Sequence, residues 1–302
     1  MALVYALINK LYMKFAIFGN SYQTRKSENI AMLFEALERR GDTIAIDRPF
    51  YEFLANNNLH HIKDVEIIDN NEFSADFVVS YGGDGTLLRT ASRVGNKGIP
   101  ILGINGGRLG FLTYVSHTEI ETSIDSLHNG NFTIEERSII EVKTSEGVLR
   151  NYPYALNEIA VMKHDSSSMM TLVTTLNGSD SIIYQADGLI VATPSGSTGY
   201  SLSVGGPIIA PDAGVMVLTP IASHSLGARP IVVNDDTEVT IKVNSRSHNF
   251  LIAIDGRNES CPENYVLTIR KAPYKQRLIR CNGSSFIKNL HEKMMWGADT
   301  RE

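Results

Sequence analysis

The sequence predicts an α/β N-terminal domain built on a parallel sheet, followed by a mainly antiparallel, β-rich C-terminal domain. Three observations carry this. Up to about residue 135, short apolar runs alternate with segments of helical period, the pattern of a parallel sheet covered on both faces. Beyond it the apolar runs keep strand length, but few helix-length periodic segments separate them. Between the strand-like "DFVVSY" and a helix-like stretch lies "GGDGT", residues 82–86, with three glycines in its first four positions.

Taken in order, "KFAIFGN" (14–20) is an apolar strand ending in Gly-Asn, as a strand entering a loop does. Residues 27–40 place Ile30, Leu33, Phe34 and Leu37 at helical spacing, with Gly41 as the stop. Then come the strand "TIAID" (43–47), a helix or loop around Tyr51–Asn58, and the strand "DFVVSY" (76–81). After the glycine loop, Leu87, Leu88, Ala91 and Val94 mark one helix face, and "IPILGIN" (99–105) is a further strand before "GGRLGFL". The β-rich part comprises "IIEVKT", "LIVAT", "TEVTIKV" (237–243), "NFLIAID" (249–255), "YVLTIR" (265–270) and "QRLIRC" (276–281). In "TEVTIKV", Val239, Ile241 and Val243 alternate with Thr240 and Lys242, as a half-exposed strand requires. "SSFIKNLHEKMMW" (284–296) reads as a terminal helix. The expected domains are 13–137 (α/β, with the glycine loop), 138–275 (β-rich) and a terminal segment, 276–302, packing back on the first.

Composition narrows the function classes. With 302 residues, 43% of them hydrophobic, the chain can bury a sizeable core. A formal charge of −5 with scattered Lys and Arg argues against a dedicated nucleic-acid binder. The apolar opening "ALVYALI" is too short to span a bilayer and lacks a basic n-region and a cleavage site. Met13 directly precedes the first strand, so residues 1–12 read as a leader or start-site extension. Two cysteines, Cys261 and Cys281, without a CxxC pair suit a reduced, cytoplasmic setting. His60, His61 and the other histidines show no metal-binding spacing, and no metal site is expected in the protein itself.

In an open parallel sheet, ligands bind where strands end and helices begin. "GGDGT" lies at such a junction: Gly82, Gly83 and Gly85 let a ligand approach the backbone, and Thr86 is expected to cap the helix. A tight turn that needs glycine for itself is the alternative. The string is neither a P-loop, which needs G-x4-G-K-[ST], nor a dinucleotide fingerprint, because Leu88 stands where the third glycine belongs. What sets it apart is Asp84. A carboxylate beside polyphosphate is unfavourable unless a cation or a proton-transfer role compensates it, so Asp84 reads as a general base or as a group near bound magnesium.

"GGDGT" resembles the signature of NAD kinases, diacylglycerol kinases and, in variant form, phosphofructokinases, all of which transfer phosphoryl groups to hydroxyls. A second string, "DGLIVATPSGSTGYSLSVGGPI" (187–208), is similar to the NAD kinase pattern, departing at Ser195, Gly199 and Val204, where threonine, alanine and alanine are usual. "ALNEIAV" (155–161), "INGGRLGFL" (104–112) and "TPIASHSLGARPIVV" (219–233) match further family segments in the same order. This resemblance implies a kinase that moves a phosphoryl group from ATP to the 2′-hydroxyl of the adenosine ribose of NAD, giving NADP. Mg2+ or another divalent cation would arrive with ATP, and the assembly would be a homodimer or homotetramer without nucleic-acid or membrane partners.

By the same resemblance Asp84 is the base. Gly85, Asn157, Glu158, Asp187, Thr198, Gly199, Tyr200, Ser201, Leu202 and Ser203 surround the dinucleotide, Glu158 facing ribose hydroxyls and Asp187 the nicotinamide amide. Phe111 either stacks near the adenine or is a core aromatic. Arg89 meets a phosphate or is a solvated helix arginine, and His224 serves binding or orders its own loop. Arg257 reaches a ligand phosphate, and Ser168 lies at another contact position. A lipid or sphingoid-base kinase is the alternative; it shares "GGDGT" but is expected to lack "TPSGSTGYS".

Overall fold

A computed structural model describes residues 12–21, 29–59, 64–106, 110–164, 169–281 and 285–294. The chain divides into two compact units, residues 1–136 with 277–302, and residues 137–276. Residues 1–11 of the expected leader, His60 and His61, and Ser168 lie outside the described residues.

The first unit is an α/β layer structure. Its strands are β1 (Lys14–Gly19), β2 (Thr43–Asp47), β3 (Glu66–Ile68), β4 (Phe77–Tyr81) and β5 (Ile101–Asn105), in the order β3-β2-β1-β4-β5 and all parallel. β1 and β4 are buried along nearly their whole length, which explains their unbroken apolar runs. Helices α1 (Ile30–Arg39), α2 (Arg48–Asn56), α3 (Asp84–Val94) and α4 (Ile120–His128) connect or flank them. α1 buries Ile30, Leu33, Phe34 and Leu37, the residues set at helical spacing, and Gly41 follows at φ +74°. The stretch around Tyr51–Asn58 is helical as far as Asn56 because Pro49 opens a turn whose Phe50 and Leu54 enter the core. The two-residue strand β6 (Val115–Ser116) pairs with β5.

The chain leaves this unit through β7 (Phe132–Thr144). In the second unit lie β8 (Tyr154–Ala155), β9 (Glu158–Lys163), β10 (Met170–Leu176), β11 (Asp180–Ala186), β12 (Gly188–Ala192), the one-turn helix α5 (Tyr200–Ser203), β13 (Val215–Ile221), β14 (Ile231–Asn234), β15 (Val239–Asn244), β16 (Asn249–Ile254) and β17 (Arg257–Pro262). One sheet runs β14-β13-β12-β9-β16-β17, wholly antiparallel. β10, β11 and β15 form antiparallel ladders with each other and with β18 (Leu267–Cys281). Ile159, Val161, Leu189, Val191, Leu172, Ile241, Ile252 and Ile269 share the core of this unit.

"YVLTIR" and "QRLIRC", expected as two strands, form the single fifteen-residue β18. Nothing interrupts it: Ala272 and Gln276 are buried across the join, and Pro273 stands within the strand. β18 carries the chain back toward the first unit, where Leu278 pairs with Ile101 of β5. The last element among the described residues is helix α6 (Phe286–Met294), whose first turn is closed by Ser285 Oγ accepting from the Lys288 N–H at 3.0 Å. Among the described residues no helix is long and apolar enough to cross a membrane.

Gly19, where β1 ends, faces the ring of fully buried Phe50 so closely that a Cβ would overlap it. Gly19→Ala is expected to lower the unfolding free energy by about 1–3 kcal/mol, read by urea unfolding. A change within about 0.5 kcal/mol would mean that Phe50 has room to move.

Candidate active site

The strand order of the first unit reverses between β1 and β4, and the glycine loop follows β4 at that switch point, where α/β sheets place their ligands. Its three glycines differ in kind. A Cβ on Gly82 would collide with the Thr86 side chain, so this glycine is required by packing. Among the described residues, a Cβ on Gly83 or Gly85 would meet nothing within 4 Å. Gly85 sits in the first turn of α3, where glycine costs about 1 kcal/mol relative to alanine, and no contact among the described residues demands it.

Thr86 is not the helix cap. α3 starts three residues earlier than a Thr86 cap would allow, at Asp84, with Gly83 as N-cap and no side-chain cap bond. Thr86 is buried inside the first turn and accepts a hydrogen bond from Arg89 Nη2 at 3.3 Å. Asp84 thus places its charge in the first turn of α3, where the helix dipole favours it.

The Asp84 carboxylate closes on the segment after β5. Oδ2 accepts from Phe111 N–H at 2.8 Å, and Oδ1 from the N–H groups of Leu112 at 3.0 Å and Thr113 at 3.2 Å. Thr113 Oγ1 donates to the same Oδ1 at 3.1 Å and accepts from Asn105 Nδ2 at 3.1 Å. Gly110 leaves the room, since a Cβ there would overlap the carboxylate. From α6, Lys293 Nζ stands 3.6 Å from Asp84 Oδ2 and 4.5 Å from the centre of the half-buried Phe111 ring. Phe111 is thus bound into the Asp84 surround and is not a core aromatic.

The second unit builds its own cluster at the start of β9. Asp255 and Gly256 form a two-residue hairpin turn between β16 and β17, both at positive φ (46° and 78°). The turn aims Asp255 at the β9 entry, where its carboxylate accepts from the N–H groups of Leu156 (2.7 Å), Asn157 (2.9 Å) and Glu158 (3.1 Å). Burial raises the Asp255 carboxyl, and these three donors and the Arg257 charge act against that. Beside it, burial and then the Asp255 charge push Glu158 up to about 8, against a backbone hydrogen bond from Tyr200. At neutral pH Glu158 is thus a buried neutral acid, with a proton to donate.

Two polar atoms in this cluster are buried without a partner among the described residues, Asn157 Oδ1 and Glu158 Oε2. They border the Gly/Ser/Thr string, which is not an open loop: Ser195–Thr198 forms a 3-10 turn and Tyr200–Ser203 makes α5. Gly199 between them has φ −94° and ψ −131°, outside the α and β regions, and a Cβ would lie 2.9 Å from Glu158 Oε2. Ser201 is fully buried and hydrogen-bonded to Thr219 Oγ1 at 2.8 Å, and Thr198 Oγ1 donates to Ser195 O at 3.2 Å. Tyr200 and Ser203 are exposed, and Leu202 is half-buried.

The fold therefore brings Asn157, Glu158, Gly199 and Tyr200 together around Asp255. Asp187 instead pairs with Lys163, Nζ to Oδ1 at 2.7 Å. Arg257 turns its Nη2 onto the carbonyls of Tyr154 (2.7 Å) and Tyr152 (3.3 Å). His224 is exposed, and its N–H donates to Gln185 O at 2.8 Å.

Residues 15–132 match the model of the ATP-NAD kinase N-terminal domain, and residues 156–281 that of the ATP-NAD kinase C-terminal domain. The chain belongs to the NAD kinase family. It is 54% identical over 289 residues to the NAD kinase of Bacteroides fragilis, covering 96% of this chain and 100% of that protein. To the NAD kinase of Porphyromonas gingivalis it is 45% identical over 288 residues, 95% of this chain and 99% of the other. A crystal structure of yeast NADH kinase complexed with NADH has the same fold, with a TM-score of 0.85 at 20% identity over 97% of this chain and 90% of that one. An NAD kinase from Archaeoglobus fulgidus in complex with ATP aligns with a TM-score of 0.71 and 26% identity, over 92% and 97% of the two chains.

Membership makes this chain a phosphotransferase of the NAD kinase type, and the lipid-kinase alternative finds no support in these matches. Several residues of these clusters went unnamed as site residues in the sequence. Asp-Gly at 255–256 is a hairpin signal and marks the turn that aims Asp255. Thr113, Lys163 and Lys293 carry no local signal.

A group whose folded value is raised adds stability that is full below its unfolded value and is lost as pH rises through the folded one. Relative to Glu158→Gln, the wild-type chain is expected to lose unfolding free energy as pH rises from about 4.5 to about 8, by up to about 1.4 kcal/mol per unit. Unfolding curves across that range read the difference; parallel pH profiles would show Glu158 titrating alike in the folded and unfolded chain.

Proposed function

We propose that this enzyme transfers the γ-phosphoryl group of ATP to the 2′-hydroxyl of the adenosine ribose of NAD, with Asp84 accepting the hydroxyl proton. The observation that carries this reading is a carboxylate fixed at a strand-to-helix junction between two glycines, Gly83 and Gly85, whose missing side chains would meet nothing within 4 Å among the described residues. The hydroxyl oxygen bonds to phosphorus, its proton passes to Asp84, and ADP leaves with the electrons of the broken P–O bond. A secondary alcohol is a weak nucleophile, and a positioned base speeds such a step by about 10²–10⁴. The rest of the catalysis is positioning and neutralisation of charge.

The dinucleotide is proposed to use what the second unit leaves open: Asn157 Oδ1 and the neutral Glu158 carboxyl, with Gly199 and Tyr200 beside them. Asp187 is proposed to read an amide together with Lys163, its ion-pair partner. Phe111 offers a ring face beside Asp84. Arg257, turned onto backbone carbonyls, is better suited to holding the segment around Tyr152 and Tyr154 than to reaching a phosphate. Ser201 supports the string from within.

A divalent cation is proposed to arrive on the phosphates of ATP. Among the described residues no group of three or more His, Cys, Asp or Glu is placed to hold one. The Asp84 oxygens already take three backbone N–H groups and a hydroxyl, an arrangement that fits an anchored base and not a metal ligand. A homodimer or homotetramer is proposed on family resemblance, and a cytoplasmic setting on cysteine usage.

Asp84→Asn is expected to lower turnover by about 10²–10⁴ in a coupled assay for NADP, while NAD binding measured by calorimetry persists. Because asparagine turns an N–H₂ group toward the donors of the 111–113 segment, Thr113→Val is the companion: it loosens the same anchor and keeps the carboxylate. Turnover and binding falling together in Asp84→Asn, with Thr113→Val equally impaired, would assign Asp84 to structure alone.

A further inference from the structure

The C-terminal helix α6 brings a cation to the glycine loop. Lys293 Nζ lies 3.6 Å from Asp84 Oδ2, beyond hydrogen-bonding range, and 4.5 Å from the centre of the Phe111 ring. The ammonium is drawn to both, yet none of its three donors is committed to an acceptor among the described residues. Its side chain is 28% exposed, so it can reach solvent or a ligand without unpacking. One turn earlier on the same helix, Asn289 is 3% exposed, and its amide nitrogen also finds no acceptor among the described residues. The neighbouring face carries the exposed pair Lys288 and Glu292. One stripe of α6 is thus unusually rich in unused donors, and it ends at Asp84.

We propose that Lys293 binds the transferring phosphate end of the nucleotide donor at the "GGDGT" loop. This rests on the reading of Asp84 as the base at the acceptor hydroxyl. Polyphosphate arriving beside a carboxylate meets like charge, and a mobile point charge on a flexible stem suits a phosphate that changes shape during transfer. The carboxylate and the aromatic face hold the ammonium in place until phosphate displaces those weak contacts. The space over Gly83 and Gly85, clear of the other described residues, is where backbone N–H groups at the start of α3 take the same anion. Lys293 thereby supplies positive charge that neither "GGDGT" nor the Gly/Ser/Thr string contains.

The test is steady-state kinetics of the full chain with ATP, Mg2+ and NAD for Lys293→Met and Lys293→Arg, with thermal melts as a folding control. Lys293→Met is expected to lower kcat/KM for ATP by about 10²-fold, the scale of losing one charge-stabilising donor. The KM for NAD should stay within about threefold, and Lys293→Arg should restore most of the loss. Unchanged or raised kcat/KM for ATP, or no rescue by arginine with both variants folded, overturns the assignment. So does a loss confined to product inhibition by NADP, which would place the lysine on the acceptor's phosphate. Asp84→Asn run in parallel separates the two readings: its inactivity beside a fully active Lys293→Met sinks the lysine alone, whereas an active Asp84→Asn sinks the base.

Discussion

Each unit of this protein depends on a carboxylate that gathers three consecutive backbone N–H groups. Asp84 takes those of Phe111, Leu112 and Thr113; Asp255 takes those of Leu156, Asn157 and Glu158. Segments that leave a sheet lose their ladder partners, and each buried donor then needs an acceptor. A carboxylate offers several lone pairs at one point, and hydrogen bonds to a charged group are worth about 1.5–3 kcal/mol each. In both places the anchored segment begins with, or adjoins, residues proposed above to take part in the chemistry.

This double use puts conditions on the surroundings. Asp84 reaches its donors only because Gly110 has no side chain, and Thr113 passes the constraint on to buried Asn105. In the second unit, burial raises the Asp255 carboxyl against the pull of its three donors, and burial first, then Asp255, raises its neighbour Glu158. One buried place thus holds a carboxyl that anchors three backbone donors beside a second carboxyl biased toward its protonated form.

The glycines show how steric bookkeeping separates fold from function. Gly82 and Gly110 are demanded by Thr86 and Asp84, atoms of the chain itself, whereas nothing among the described residues crowds Gly83 or Gly85. A motif of identical residues thus contains two kinds, and only coordinates tell them apart. Lys293 belongs to the same description, because its contacts are with the carboxylate and with the ring that the carboxylate positions.

By itself the sequence determined the fold class, the helix and strand identity of strongly periodic segments, and the family. Period-3.6 and unbroken apolar runs reflect local burial, and "GGDGT" with "TPSGSTGYS" is a local string. It placed Asp84 at a strand-to-helix junction for the same reason. It did not reveal that "YVLTIR" and "QRLIRC" are one strand, since continuity depends on ladder partners far along the chain. Nor did it show that α3 begins at Asp84 rather than after Thr86, because the start of that helix is set by where the carboxylate must reach. Thr113, Asp255, Lys163 and Lys293 acquired their partners only in three dimensions, 29, 97 to 99, 24 and 209 positions away in sequence. Hydrogen bonds and ion pairs between distant segments have no period, and only the folded chain decides them.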